Sequence, residues 1–177
     1  MQRDGNKGEI KTFSGLSFNP LEPNLDKICV EDIAHALSLN TRFGGHCPKF
    51  YSVAEHSILV MGLMEAGGYG EISQFAGLMH DAEEAYLMDM PSPIKQNFQN
   101  YVDAGVSLRK AIWQKYNIPW SFYDATKPYD NEAYFLERKR LWDGKTNPMT
   151  SEVAEVTFLN EFQRLQKRIG GSGSRAA

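Results

Sequence analysis

Residues 53–66, VAEHSILVMGLMEA, carry apolar side chains almost all the way round when wound at helical period. A helix with no polar face has no side to turn to water, so other elements must wrap it. The rest of the chain supplies candidates. In residues 31–39, Ile33, Ala36 and Leu37 share one face, and Glu31 and Asp32 occupy the first turn, where the helix dipole favours acids. Further helices are predicted over 71–88, 101–116, 123–142 and about 151–168. Breaks fall at Gly67-Gly68-Tyr69-Gly70, at the Asp-Met-Pro-Ser-Pro run 89–93 and at 117–120, and residues 40–51, with Gly44, Gly45 and Pro48, read as a loop. Phe13 and Phe18 flank a Ser-Gly turn, which predicts a short two-stranded ribbon. There is no βαβ alternation and no internal repeat. The expectation is a single all-α domain over 11–169, with a small N-terminal β-ribbon, a flexible stretch at 1–10, and GGSGSRAA at 170–177 as a linker or appended tail.

The apolar stretch 57–64 is well short of the roughly 20 residues that span a bilayer, and MQRDGNKGEI has no apolar run of the kind a secretory signal carries. Cys29 and Cys47 form no CxxC pair and read as reduced thiols of a cytoplasmic protein. Nineteen Lys and Arg against 22 Asp and Glu leave a net charge of −3. Duplex nucleic acid is therefore not an expected partner, because its affinity comes from many cation–phosphate contacts.

Four histidines are present, His35, His46, His56 and His80. On the predicted helix 71–88, Asp81 follows His80, and Glu84 lies at helical spacing from both, so the three share a face among Phe75, Ala76, Leu78, Met79 and Ala82. A carboxylate in so apolar a helix needs a positive partner, either a metal ion or a buried arginine. His56 lines up with Val53, Val60 and Leu63, and Asp130 lies on a stripe with Ala133, Tyr134 and Glu137. Two imidazoles and two carboxylates from three helices would make a mixed N/O site suited to a divalent first-row metal.

The segments Tyr51-Ser-Val-Ala-Glu-His-Ser57 and Leu78-Met-His-Asp-Ala-Glu-Glu-Ala-Tyr-Leu-Met-Asp-Met-Pro-Ser-Pro-Ile-Lys95, followed by an Asp in the late helix, resemble the HD-domain phosphohydrolase superfamily. With Glu31-Asp-Ile-Ala-His-Ala-Leu-Ser38 and Arg42-Phe-Gly-Gly-His46, the chain resembles most closely the bacterial and phage 5′-deoxynucleotidase-like branch, which includes phage dATP triphosphohydrolases. The likeness runs from about residue 11 to 142. It implies an HD-type helical bundle with His56, His80, Asp81 and Asp130 as ligands of one divalent ion per subunit (Co, Mn, Zn, Fe, Ni or Mg). Asp130 is preferred to Asp124 because the family places an acid seven residues after the ligand, where Glu137 stands relative to Asp130 and Asn131 relative to Asp124.

The same resemblance assigns Glu84 as the catalytic acid/base and Asp89 as a second acidic residue at the rim. It makes Arg42, Phe43, His46 and Lys95 substrate contacts; apart from the resemblance, Lys49, three residues after His46, and Lys95 could supply charge for further phosphates. The expected reaction cleaves the bond between the 5′ oxygen and the α-phosphorus of a dNMP or dNTP, a purine such as dATP being favoured. Alternatives are a non-catalytic, metal-stabilised nucleotide-binding module and an HD hydrolase of another phosphoester such as a cyclic nucleotide. A homo-oligomer, dimer or hexamer, is implied, and Trp113, Trp120 and Trp142 are weighed between core and interface roles.

Overall fold

The computed structural model describes residues 8–172. Residues 1–7, within the stretch expected to be flexible, and 173–177, within the expected tail, lie outside them. The fold is all-α with a small N-terminal β-ribbon. Strands β1 (Ile10–Lys11) and β2 (Ser17–Phe18) pair antiparallel, Ile10 opposite Phe18. Eight α-helices follow among the described residues: α1 (Val30–Leu39), α2 (Val53–Ala66), α3 (Glu71–Leu78), α4 (Glu84–Leu87), α5 (Ser92–Lys95), α6 (Gln99–Lys115), α7 (Tyr123–Trp142) and α8 (Ser151–Ser172). None of them is long and apolar enough to cross a membrane.

Helix α2 is the central rod its composition requires, packed by α1, α3, α7 and α8. Ser52 caps its start by accepting from the Glu55 amide at 3.1 Å. The apolar core lies chiefly among α1, α3, α6 and α8, built from Ile33, Leu37, Phe75, Leu78, Leu108, Ile112, Phe158 and Leu165. Trp113 belongs to this core, its indole donating to the Met79 carbonyl at 2.9 Å, while Trp142 is half exposed. The ribbon is tied down by Asp32 of α1, whose carboxylate accepts from the Ser14 amide at 2.6 Å and the Ser14 hydroxyl at 2.9 Å. These bonds outweigh the opposing effect of burial and hold the Asp32 carboxyl below its ordinary range.

Two helix expectations need correction. The helix expected over 71–88 stops at Leu78, and residues 79–83 form turns before α4 begins at Glu84. Through this stretch the amides of Ala82, Glu84 and Ala85 bond to carbonyls three residues back, a tighter winding than an α-helix. The late helix expected to end near 168 continues to Ser172, across Gly170 and Gly171. Two exposed glycines cost about 1 kcal/mol each relative to alanine, too little to stop a helix already nucleated over many turns.

The 40–51 loop is closed at its base. Arg42 donates its amide to the Tyr51 carbonyl at 2.8 Å and Val53 donates to Asn40 at 2.9 Å, so the segment returns beside the start of α2. Inside it, residues 42–45 make a 3-10 turn in which Phe43 takes φ 59 and ψ 25, a left-handed conformation unusual for an aromatic residue.

Candidate metal centre

Close approach of two helices sets up the site. A Cβ at Gly77 would stand 2.7 Å from the Met64 sulfur and 3.4 Å from the Met61 Cα, so α3 presses directly on α2. That contact carries the turn after α3 to His56. The Nε2 atoms of His56 and His80 lie 3.2 Å apart. Asp81 Oδ2 is 3.1 Å from His80 Nε2, and Asp130 Oδ1, delivered by α7, is 3.2 Å from His56 Nε2. All four ligand atoms lie within 4.8 Å of one another.

The tautomers follow from the outer partners. His80 Nδ1 is 2.8 Å from the Gly77 carbonyl, which can only accept, so this nitrogen carries the proton. His56 Nδ1 faces Glu137 Oε1 at 2.6 Å and donates to it. Neutral imidazoles so arranged turn two Nε2 lone pairs toward each other and toward two carboxylates. One shared proton satisfies one pair at most; a cation satisfies all four groups. Ligand atoms about 2.1 Å from a first-row ion stand about 3 Å from their neighbours, which fits the spacings here. The His56–Glu137 bond is the carboxylate–histidine support such ligands use. These four side chains could hold a metal ion.

The electrostatics show the same demand for positive charge among these groups, met by a proton on His80 when no cation is bound. Burial opposes charge on His80, but Asp81 and Asp130 outweigh it and hold the imidazole well above the usual histidine range. Asp81 and Asp130 are also buried, yet the neighbouring histidines keep both well below the carboxylate range. Glu137, against burial, is lowered by His56 and then Arg42.

A cavity of about 900 Å³ opens beside this cluster, with Asp81 and Asp130 on its wall. Glu84, only 2% exposed, lines it too. Burial, followed by the charges of Asp81 and Asp89, pushes the Glu84 carboxyl well above its ordinary value, while Lys95 pulls the other way. Lys95 Nζ donates to Glu84 Oε1 at 2.9 Å, and Oε2 is buried with no hydrogen-bond partner. Arg42 spans two acids, Glu137 at 3.3 Å and Asp89 at 3.7 Å, and its Nε is buried without a partner. Burial raises the Asp89 carboxyl against the pull of Arg42. Phe43 sits between Arg42, 5.5 Å from its ring, and an aromatic pair, Tyr134 and Trp142.

No family model matches the chain. Over 153 residues it is 35% identical to the uncharacterized protein YfdR of Escherichia coli (strain K12), covering 85% of this chain and 83% of that protein. The chain belongs to the YfdR family. A second similar protein, the uncharacterized RCAP_rcc00048 of Rhodobacter capsulatus, is 37% identical over 114 residues, and this YfdR-family chain spans 58% of its length.

In this YfdR-family chain His56, His80, Asp81 and Asp130 converge, whereas Asp124 is exposed and not part of the group. Glu84, Asp89, Arg42, Phe43, His46 and Lys95 all line the cavity. His80, Asp81 and Glu84 meet through the turn at 79–83, not along one helix face as their spacing suggested. Lys49 turns away, donating to the Thr146 carbonyl at 2.9 Å. His35 stacks on Phe13 and faces Glu155 at 3.1 Å, apart from the site.

Among the cavity residues that reading the sequence missed are Tyr101, Arg109, Lys127 and Arg138. Lys127 and Arg138 fall at helical intervals from Asn131 and Tyr134 on α7, a stripe that could have been extended in both directions. Arg109 had no such signal. It holds Glu83 by two bonds, one of them Nε to Oε2 at 2.9 Å, and thereby occupies an acid that could otherwise join Asp81 and Glu84 in a second cation group.

Proposed function

We propose that this protein is a divalent-metal-dependent phosphohydrolase of deoxynucleotides, of the HD-domain type, cleaving the bond between the 5′ oxygen and the α-phosphorus. The observation that carries the reading is the pairing of a four-ligand N/O cluster with a buried carboxyl, Glu84, whose Oε2 has no hydrogen-bond partner, on the wall of one cavity. His56, His80, Asp81 and Asp130 would hold the divalent ion, which when bound would supply Lewis acidity toward a phosphoryl oxygen. Arg42, with donors to spare beyond its two carboxylate contacts, holds the same phosphoryl group through its planar fork. Water adds to phosphorus as the bond to the sugar oxygen breaks. That oxygen needs a proton, which Glu84 Oε2 donates, and a proton of the attacking water returns to the carboxylate so formed. Lys95 fixes the other oxygen of Glu84 and so orients the donor.

Phe43, Tyr134 and Trp142 provide aromatic surface for the nucleoside, and a purine, with its larger face, gains most from it. Lys127 lines the cavity with no carboxylate partner among the described residues and supplies positive charge for further phosphates, so dNTPs stand beside dNMPs as substrates. The two free thiols suit a reducing, cytoplasmic setting. Assembly into a homo-oligomer belongs to the same proposal and is read by sedimentation. The test is turnover of all dNMPs and dNTPs and their ribose counterparts with Mn²⁺, Co²⁺ and Mg²⁺. Release of phosphate or triphosphate from deoxynucleotides is expected. No release with any ion overturns the reading and leaves a binding module.

A further inference from the structure

The backbone between α4 and α5 contains a conformation that its own side chain does not favour. Met88 has φ 68 and ψ 159, a region occupied almost solely by glycine. The residue is 68% exposed, so little apolar burial compensates. What opposes relaxation is hydrogen bonding. The Met88 amide donates to the Glu84 carbonyl at 2.9 Å, and the Tyr101 hydroxyl of α6 reaches the Met88 carbonyl and, at 3.2 Å, the Leu87 carbonyl. The next residue is Asp89, whose side chain this corner turns inward to 8% exposure, 3.7 Å from Arg42. Tyr101 also lines the cavity, with the Lys95 ammonium 6.0 Å from its ring.

We infer that Tyr101 is a positioning residue: its hydroxyl pins the strained corner at Met88 and thereby holds Asp89 against Arg42 in the cavity. A relaxed Met88, returned to negative φ, would rotate the following peptide and withdraw Asp89. The inference rests on the phosphohydrolase reading for its kinetic readout only, because the corner itself can be observed without a substrate.

The decisive variants are Tyr101→Phe, Met88→Gly and the pair together. Tyr101→Phe keeps the ring and removes one hydroxyl, so kcat should fall about tenfold with the melting temperature nearly unchanged. Met88→Gly alone should leave turnover near wild type, since glycine adopts the corner without strain and the lost side chain is exposed. In the Met88→Gly background, Tyr101→Phe should cost no more than about twofold, a non-additivity that a generally structural tyrosine would not show. Amide exchange at Met88 and Asp89, measured in the metal-free and metal-loaded protein, should quicken about tenfold in Tyr101→Phe. An unchanged kcat or unchanged exchange in Tyr101→Phe, or an equal loss in both backgrounds, overturns the assignment. If the wild type turns over no substrate, the functional reading fails, and the exchange measurement alone decides whether Tyr101 holds the corner.

Discussion

The two sides of α2 obey different rules. Toward α1, α3 and α8 it places Ala54 and Met61 in a core shared with Phe75, Phe158 and Leu165, where each group is content among its neighbours. Toward α7 and the turn after α3 it places His56, just as buried, whose Nε2 faces another imidazole and two carboxylates. The first side is complete as it stands. The second is complete only with a positive charge, since buried polar atoms of like character do not satisfy one another. The apolar side therefore sets stability, and the polar side sets chemistry.

The difference can be broken most severely at Asp130. Asp130→Ala should reduce turnover to background while the circular dichroism spectrum stays helical, because the residue is part-exposed and belongs to no apolar cluster. Unfolding instead would mean that the polar side also carries the fold. Next comes Glu84→Ala, expected to lower kcat by about two to four orders of magnitude with bound metal retained. Loss of the metal along with activity would move Glu84 into the ligand set.

On the other side, Phe158→Ala should destabilise by about 3–5 kcal/mol in denaturant titration, with metal content of the folded protein unchanged. The smallest effect is expected at the ribbon. Asp32→Asn should cost about 1 kcal/mol at neutral pH. The folded carboxyl lies below its ordinary value, so its contribution is whole above about pH 4 and is lost as pH falls through the lowered value. The gap between wild type and Asp32→Asn should therefore close in acid; a gap that widens there would contradict this.

Much of the fold was legible from period alone. The bounds of α2 and α7 agree with the apolar pattern because capping Ser52 and the glycine stretch after Ala66 mark one, and turn residues mark the other. The break at 79–83 was not legible. Nothing in Met79-His-Asp-Ala-Glu83 is a helix breaker, and the turn arises from tertiary demand at the site. The ligands could be named because two acids and two histidines on apolar stripes have few other reasons to be there. Their supports were harder to find. Arg42 was expected as a substrate contact, but its engagement with both Glu137 and Asp89 depends on a loop closing over 40–52, a contact far apart in sequence. Lys49 illustrates the reverse error: proximity in sequence to His46 suggested a role, and the loop's curvature points it at Thr146 instead.

The central claim is that the polar side of α2 is built around a cation. Elemental analysis of protein purified without chelator, then reconstituted with Mn²⁺ and desalted, tests it directly. The account predicts one divalent ion per chain in the wild type and none in His80→Ala or Asp130→Ala. A folded wild type that retains no stoichiometric ion, or variants that retain it fully, would contradict the account.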